Sequence, residues 1–490
     1  MGKVYLVGAG PGDPGLITWK GRRLLAQADS ILYDNLVNHA LLDLAAAPAE
    51  KVYVGKKKSS HSFSQEEICA MLIERARKGL NVVRLKGGDP FIFGRGGEEA
   101  EALADAGIPF EIVPGVTSPL GIAAYAGIPL THRSHTSVVT FVTGHDVSAI
   151  DWQRVGHAET LVIFMGLTSF DRIAAEIIAC GRDPETPVAA VRWGTRPDQQ
   201  VIVGTLASLP AKIHKAGLRP PATIILGEVV RLREKLSWYE RLPLFGQRVI
   251  VTRGREQAPA LAELLHDLGA NVVELPTIEI RAAPDYSALD QAIQQLPDYD
   301  WLIFTSVNGV RFFLERLDGS DRDLRSIRGS LCAIGPATRD ALERLHLKVA
   351  LMGKEYVAES LLEAFEPIDL NGKRVLIARA AVARDVLPAE LARRGAKVDV
   401  VPAYETIAPM DLAANARKVL QEGNPHWIAF TSSSTVRNLM EAIGPSVLEG
   451  VKVASIGPVT SATARHFGLH VAVEASEYTV AGLVEGIIGT

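Results

Sequence analysis

Apolar residues in the first half of the chain fall in short runs, each broken by glycine, proline or an acid, with helically spaced stretches between them. Val4-Tyr5-Leu6-Val7 runs into Gly8, Gly10 and Gly12; Ser30-Ile31-Leu32-Tyr33 ends at Asp34; Val52-Tyr53-Val54 reaches Gly55. After a stretch of helical period over 65–78, Val82, Val83 and Leu85 lead into Gly87-Gly88-Asp89-Pro90. A second glycine loop, Gly94-Arg95-Gly96-Gly97, then opens a helix whose first turn carries Glu98, Glu99 and Glu101, acids that suit the positive end of a helix. Short strands alternating with helices predict open α/β sheets. Phe110 to Val113 is another strand, followed by Pro114-Gly115-Val116-Thr117-Ser118-Pro119 and a small-residue helix over 120–127. Val138 to Gly144 begins a second set of strands, continued by Leu161 to Met165, Val188 to Val191 and the Ala222-Thr223 run to Val230. Residues 1–242 therefore read as two lobes, about 1–116 and 117–242.

Lys235 to Gly246 closes this unit, and Gln247 to Arg253 is a fresh strand start. The remainder repeats itself. The segment from Val249 matches the segment from Val375 without a gap, a shift of 375 − 249 = 126, and Trp301 to Ser306 recurs at Trp427 to Ser432 with the same shift. Leu331 to Pro336 recurs as Val453 to Pro458 at a slightly smaller one. A repeat of this length predicts duplication into two similar α/β lobes. Each lobe places Thr-Ser at a strand end before a helix, and Ile-Gly-Pro before another helix.

Composition narrows the class. A chain of 490 residues has room for two to four domains, and its 47% hydrophobic and 22% charged content is that of an ordinary globular protein. A net charge of −4 gives no electrostatic case for nucleic acid or membrane as partner. The three cysteines, Cys69, Cys180 and Cys332, lie far apart without metal-ligand spacing, so neither a disulfide framework nor a metal site is expected. The chain enters a strand at Val4 with no leader-like stretch, and the longest uncharged run, 112–132, holds three prolines and three glycines. A cytoplasmic protein is expected.

The first glycine loop invites comparison with a dinucleotide fingerprint, but the third glycine of GxGxxG would fall at Asp13, and Pro11 lacks an amide for a phosphate. That spacing disfavours an NAD-linked oxidoreductase. An acid in a donor-poor glycine loop suits a cationic or zwitterionic ligand, of which S-adenosylmethionine is one. Asp34, at the carboxyl end of a strand, lies where open α/β sheets bind ligands, although a turn cap explains it equally well. Lys56-Lys57-Lys58 is either a solvated loop or a contact for a carboxylate-rich substrate.

GAGPGDPGLIT, Asp34, Val54-Gly55-Lys56, RLKGGDPFIFGRGGEE, VPGVTSP, AGIPLTHR, VTGH, FMGL and PATIILGEVV, in this order, resemble uroporphyrinogen-III C-methyltransferases of the tetrapyrrole methylase superfamily across residues 2–236. The resemblance implies S-adenosylmethionine contacts at Pro11, Gly87, Gly88, Asp89, Ile92, Thr117, Ser118, Met165, Gly194, Ala222 and Thr223. It implies Asp34 as proton acceptor, Lys56 as donor, substrate contacts at Arg95 and Arg133, and a homodimer formed through this half. The family commonly has arginine where Lys57 stands, which removes a bidentate carboxylate contact there.

In the second half, Val249-Thr252-Arg253, FTSVNGV, AIGPATRDAL, VPAYET, AFTSSSTV and SIGPVTSATA resemble uroporphyrinogen-III synthase over 247–490. The implied fold is a two-lobed tetrapyrrole methylase followed by a two-lobed α/β synthase module, with synthase lobes of about 247–280 plus 407–490, and 281–406. Tyr404 is the implied assistant to a leaving hydroxyl, and Thr305, Ser306, Thr338, Ser432, Ser433 and Thr460 would position substrate carboxylates. From the residues alone, a non-catalytic binding or dimerisation module remains the alternative for this half.

Overall fold

The structure, a computed structural model, describes residues 2–46, 48–55, 63–254, 258–353, 358–383 and 385–490. The chain divides into two compact units, one comprising residues up to Arg248 with Leu265–Asn271, the other Val249–Leu264 with Val272–Thr490.

In the first unit, β1 (Val4–Gly8), β2 (Ser30–Tyr33), β3 (Glu50–Tyr53), β4 (Val82–Lys86) and β5 (Phe110–Val113) form a parallel sheet in the order β3-β2-β4-β1-β5. The period-2 alternation of strands sends Val7, Ile31, Val83 and Leu85 to one face, against Leu24, Leu25 and Leu41. Leu6, Leu32 and Val82 go to the other, against Ile68, Leu72 and Leu103. The helix Gln65–Arg77 that covers this second face starts in a capping box, with Ser64 and Glu67 each bonded to the other's backbone. All of β4 is buried, as expected of the middle of a parallel sheet, yet two of its five residues are Arg84 and Lys86.

The helix Ser118–Ala126 carries the chain to a second, mixed sheet: β6 (Val139–Thr143), β7 (Thr160–Phe164), β8 (Pro187–Arg192), β9 (Gln200–Thr205) and β10 (Ala222–Leu226), ordered β6-β7-β10-β8-β9. Ile122, Ala123 and Ala126 of that helix pack on Val162, Ala189, Val191 and Ile225. The strand expected to run through Met165 stops at Phe164, because Met165 takes φ 51° and turns its side chain outward, 54% exposed.

The second unit builds one sheet from β11 (Arg248–Val251), β12 (Asn271–Glu274), β19 (Trp427–Phe430), β20 (Lys452–Ser455) and β21 (Val471–Glu474), ordered β12-β11-β19-β20-β21. The other uses β13 (Glu279–Ala282), β14 (Trp301–Phe304), β15 (Ser330–Ala333), β16 (Val349–Met352), β17 (Arg374–Ala380) and β18 (Lys397–Ile407), ordered β13-β18-β17-β14-β15-β16. Apart from β13, which pairs antiparallel with β18, the two sheets have the same order of equivalent strands. The repeat units are exchanged: the opening strand of the first copy, β11, pairs with β19 of the second, while β17 of the second pairs with β14 of the first.

Close backbone contact joins the loops that follow β1, β4 and β5. A Cβ on Gly115 would lie 2.3 Å from the Gly88 carbonyl oxygen, and one on Gly8 2.6 Å from the Gly115 Cα. Gly115→Ala is expected to destabilise this unit by about 1–3 kcal/mol through overpacking. Faster amide exchange in β1, β4 and β5, with exchange in the second unit unchanged, is the measurement that checks it.

Candidate active sites

The carboxyl ends of β1, β4 and β5 continue into three loops that close on one another. Gly88 N donates to Gly10 O at 2.7 Å and Gly10 N returns a bond to Gly88 O at 3.2 Å. Asp89 clamps the junction: Oδ1 accepts from Phe91 N at 2.8 Å and Oδ2 from Gly115 N at 2.9 Å. Gly88, at φ 68°, presents its open side to Ser118 N, 3.5 Å from where a Cβ would stand. The second sheet reaches the same place. A Cβ on Gly121 would meet Pro11 Cγ at 2.4 Å, and one on Gly194 would meet Ile122 Cγ1 at 2.3 Å. Pro11, Gly87, Gly88, Asp89, Thr117, Ser118 and Gly194 are thus brought together, although Asp89 spends one backbone bond on each carboxylate oxygen.

Antiparallel pairing sets the rest of the arrangement. Ala222, at the start of β10, pairs with Arg192 at the end of β8, and Thr223 pairs with Phe164 at the end of β7. Met165, Gly194, Ala222 and Thr223 therefore share one end of the second sheet. Phe164 touches the ring of Phe93 at 4.8 Å, which links this end to the loop holding Ile92 and Arg95. Phe91, Phe93, Arg95, Gly96, Gly97, Glu98 and Met165 line an open cleft of about 510 Å³. Five non-glycine residues of these loops, Phe93, Arg95, Met165, Trp193 and Thr195, hold positive φ between 50° and 71°. Left-handed backbone of this kind is retained where packing imposes it, and it clusters at functional sites. Glycines with no space for a Cβ and half-exposed Ile92 and Met165 beside them make a cradle that fits a ligand laid against backbone.

One expectation changes here. Asp13 does not face a ligand. It is buried, its Oδ1 caps Gly15 N at 2.7 Å, and its Oδ2 accepts the Tyr125 hydroxyl at 2.5 Å. Its own amide donates to Thr195 Oγ1 at 2.9 Å, so the acid ties the first loop to the second sheet. Burial, and then the Asp13 carboxylate, push the Tyr125 phenol well above its ordinary range, so it stays protonated as the donor of this bond. Glu99, in the first turn of the helix Gly96–Asp105 as expected, is fully buried and accepts from Arg84 Nε, Lys86 Nζ and Gln65 Nε2 at 3.1, 2.9 and 3.1 Å. Arg84 reaches on to Asp34 Oδ2 at 3.3 Å, while Asp34 Oδ1 accepts from Leu36 N at 3.0 Å. Burial, and then Arg84, push the Lys86 ammonium below its ordinary range, against the pull of Glu99. The pattern that could have revealed this cluster is two cations at alternate positions of an otherwise apolar strand, on one face. Arg95 pairs with Glu98 at 3.1 Å, and Arg133 is exposed. Lys56 lies outside the described residues.

In the second unit the hydroxyls are placed by helix capping. Ser306 and Ser432, both in extended backbone, accept from Gly309 N and Thr435 N at the starts of the helices Val307–Asp318 and Ser433–Ile443. Ser433 Oγ donates to Val459 O at 3.3 Å, joining two helix starts. Thr305 follows β14 half-buried, whereas Thr338 and Thr460, 4% and 5% exposed, turn inward from the first turns of the helices Pro336–Glu343 and Pro458–His466. Both of those helices begin at a glycine without a side-chain cap, which leaves backbone amides available to anions. Tyr404 lies in β18, 7% exposed, with Phe312 stacked on it and its hydroxyl 3.0 Å from Ser306 Oγ. The structure thus joins Tyr404 to Ser306 but leaves Ser432, Ser433 and Thr460 on the other sheet. Exposed Val307, Val459 and Tyr478, at these helix starts and nearby, gave no sequence signal. Among the described residues no group of three or more His, Cys, Asp or Glu could hold a metal ion, and no helix is long and apolar enough to cross a membrane.

A glycine cradle spanning two sheets, followed by a duplicated unit with hydroxyls at its helix starts, defines an α/β chain of two units. The family model "Tetrapyrrole (Corrin/Porphyrin) Methylases" matches residues 3–210, and "Uroporphyrinogen-III synthase HemD" matches 259–485. A porphyrin biosynthesis protein HemD of Ruminiclostridium josui is 36% identical over 493 residues, covering 99% of this chain and 98% of the relative. A uroporphyrinogen-III C-methyltransferase of Bacillus subtilis is 39% identical over 70% of this chain and 71% of its own length. A siroheme synthase of Azotobacter vinelandii is 54% identical over 49% of this chain, which spans only 53% of that relative. The chain belongs to the family of tetrapyrrole-biosynthesis proteins that join a tetrapyrrole methylase to a uroporphyrinogen-III synthase, and it is bifunctional.

Burial holds the Tyr404 phenol above its ordinary range, so it is available as a neutral hydrogen-bond donor and not as a phenolate. The cyclisation rate is therefore expected to show no break near pH 10, the ordinary tyrosine value. A break at that pH, abolished in Tyr404→Phe, would contradict this.

Proposed function

We propose that the second unit closes hydroxymethylbilane to uroporphyrinogen III with inversion of ring D, and that the first methylates this product at C2 and C7, giving precorrin-2 through precorrin-1. The supporting observation is the convergence of glycine loops from both sheets of the first unit beside an apolar cleft, with Asp34 at a neighbouring strand end. Domain limits of 1–242 and 247–490 follow from this reading.

The methyl donor is S-adenosylmethionine, which supplies an electrophilic methyl group on sulfur. Pro11, Gly87, Gly88, Asp89, Ile92, Thr117, Ser118, Met165, Gly194, Ala222 and Thr223 would hold it. The chain's task is alignment, since a reduced pyrrole β-carbon is already electron-rich and in-line placement carries much of the rate. Asp34 accepts the proton lost after the carbon–carbon bond forms, and Lys56 is the paired donor. Arg95 and Arg133 receive substrate carboxylates. In the second unit, loss of hydroxide from hydroxymethylbilane is assisted by a hydrogen bond from Tyr404. Thr305, Ser306, Thr338, Ser432, Ser433 and Thr460, with the adjoining helix-start amides, position the acetate and propionate arms. The protein works in the cytoplasm as a homodimer through its methylase half.

Incubating the chain anaerobically with hydroxymethylbilane and S-adenosylmethionine should yield a type-III macrocycle heavier by two methyl groups, read by mass spectrometry and isomer analysis. An unmethylated type-III ring would remove the methylation claim, and a type-I ring alone would remove the cyclisation claim. Asp34→Asn should lower methylation by about a hundredfold while leaving cyclisation intact.

A further inference from the structure

Strand β4 is wholly buried and central, yet carries Arg84 and Lys86 on one face, 5% and 4% exposed. Both donate to the same atom, Oε1 of the fully buried Glu99, and Gln65 adds a third donor to it. The twin oxygen, Glu99 Oε2, is buried without a hydrogen-bond partner among the described residues. A carboxylate serving only to neutralise two buried cations would use both oxygens, because bidentate pairing satisfies more of its lone pairs. A one-sided arrangement calls for another explanation, since buried acceptors are rarely left unpaired.

Arg84 supplies it. Its Nε is held by Glu99, and one terminal nitrogen donates to the carbonyls of Leu32 on β2 at 3.4 Å and Leu85 on β4 at 3.1 Å. The other terminal nitrogen reaches Asp34 Oδ2 at 3.3 Å. The planar guanidinium is a rigid bar, fixed at one end and across its middle, with its free end on Asp34. Asp34 Oδ1 is fixed in turn by Leu36 N, and the carboxylate keeps 22% of its surface exposed. Two cations and two anions balance the cluster.

We propose that Glu99, supported by Lys86, is a positioning residue that holds the Arg84 guanidinium so that the Asp34 carboxylate keeps one orientation for proton acceptance. This rests on the reading of Asp34 as the acceptor. Glu99 touches no reacting atom and acts through Arg84.

The test is a double-mutant cycle on the full chain, with methyl transfer to uroporphyrinogen III as kcat and S-adenosylmethionine binding by calorimetry. Glu99→Leu, close in volume but unable to accept a hydrogen bond, should lower kcat about tenfold, with the donor's Kd kept within about twofold. In the Asp34→Asn background the same substitution should cost nothing further, because the bar then has no carboxylate to orient. Losses that multiply, or a Kd that weakens in step with kcat, would overturn the proposal and leave Asp34's role intact. Asp34→Asn at wild-type kcat would overturn both, and that single variant, read first, separates the two failures. If Glu99→Leu does not fold, the charge-balanced E99L/K86M takes its place in the cycle under the same expectations.

Discussion

Backbone-to-backbone contact between Gly8, Gly88 and Gly115 is the constraint on which the methylase unit depends. Three parallel strands can end in loops that touch only if no Cβ stands between them, and here the clearances are those of bare backbone. Asp89 then links two of the loops with single hydrogen bonds, and Asp13 links the first of them to the second sheet through Tyr125 and Thr195. The acids of the glycine loops are structural fasteners. Their carboxylates satisfy backbone amides that would otherwise be stranded in a crowded junction. What faces outward from the junction is apolar: Phe91, Ile92, Phe93 and Met165 are each exposed by more than a third. A reduced macrocycle with charged arms calls for such a surface, apolar for the ring and cationic toward its edge.

Burying three charges and half-burying a fourth is costly unless they are mutually paired. The cluster of Arg84, Lys86, Glu99 and Asp34 sits at the carboxyl end of the core that contains Leu6, Leu32 and Leu72. In other proteins, replacing buried ion pairs by well-packed apolar residues is often neutral or stabilising. A buried ionic cluster beside a ligand cleft is therefore better accounted for by what it orients than by what it stabilises.

The architecture was legible because it rests on signals that survive in one dimension. Short apolar runs broken by glycine, proline or an acid gave β1, β2, β4 and β5, and a shift of 126 residues gave the duplication of the second unit. The chemistry of single side chains was less legible. Asp13 looked like a ligand contact because its partner, Tyr125, lies 112 residues away, and nothing local marks that choice. Glu99 looked like an ordinary acid at a helix start until the fold placed β4 beneath it. Ser306 and Ser432 are caps by geometry, and whether a cap also faces a substrate depends on neighbours brought in from other strands. Met165 looked like the last residue of a strand, but a left-handed backbone ends the strand before it and turns its side chain outward.

The exchange of repeat halves in the synthase unit has a consequence for how the chain is made. Val249 of β11 pairs with Trp427 of β19, so 427 − 249 = 178 residues must follow it out of the ribosome before the β11–β19 ladder can form. At ordinary synthesis rates that wait is roughly ten to forty seconds. During it, β14, β15, β16, β17 and β18 have everything they need to assemble, because all of them emerge before β19. The lobe begun first is thus completed last, and its opening strand spends the interval with an unpaired edge. Any cell producing this protein must keep that edge from foreign partners for the whole of that time.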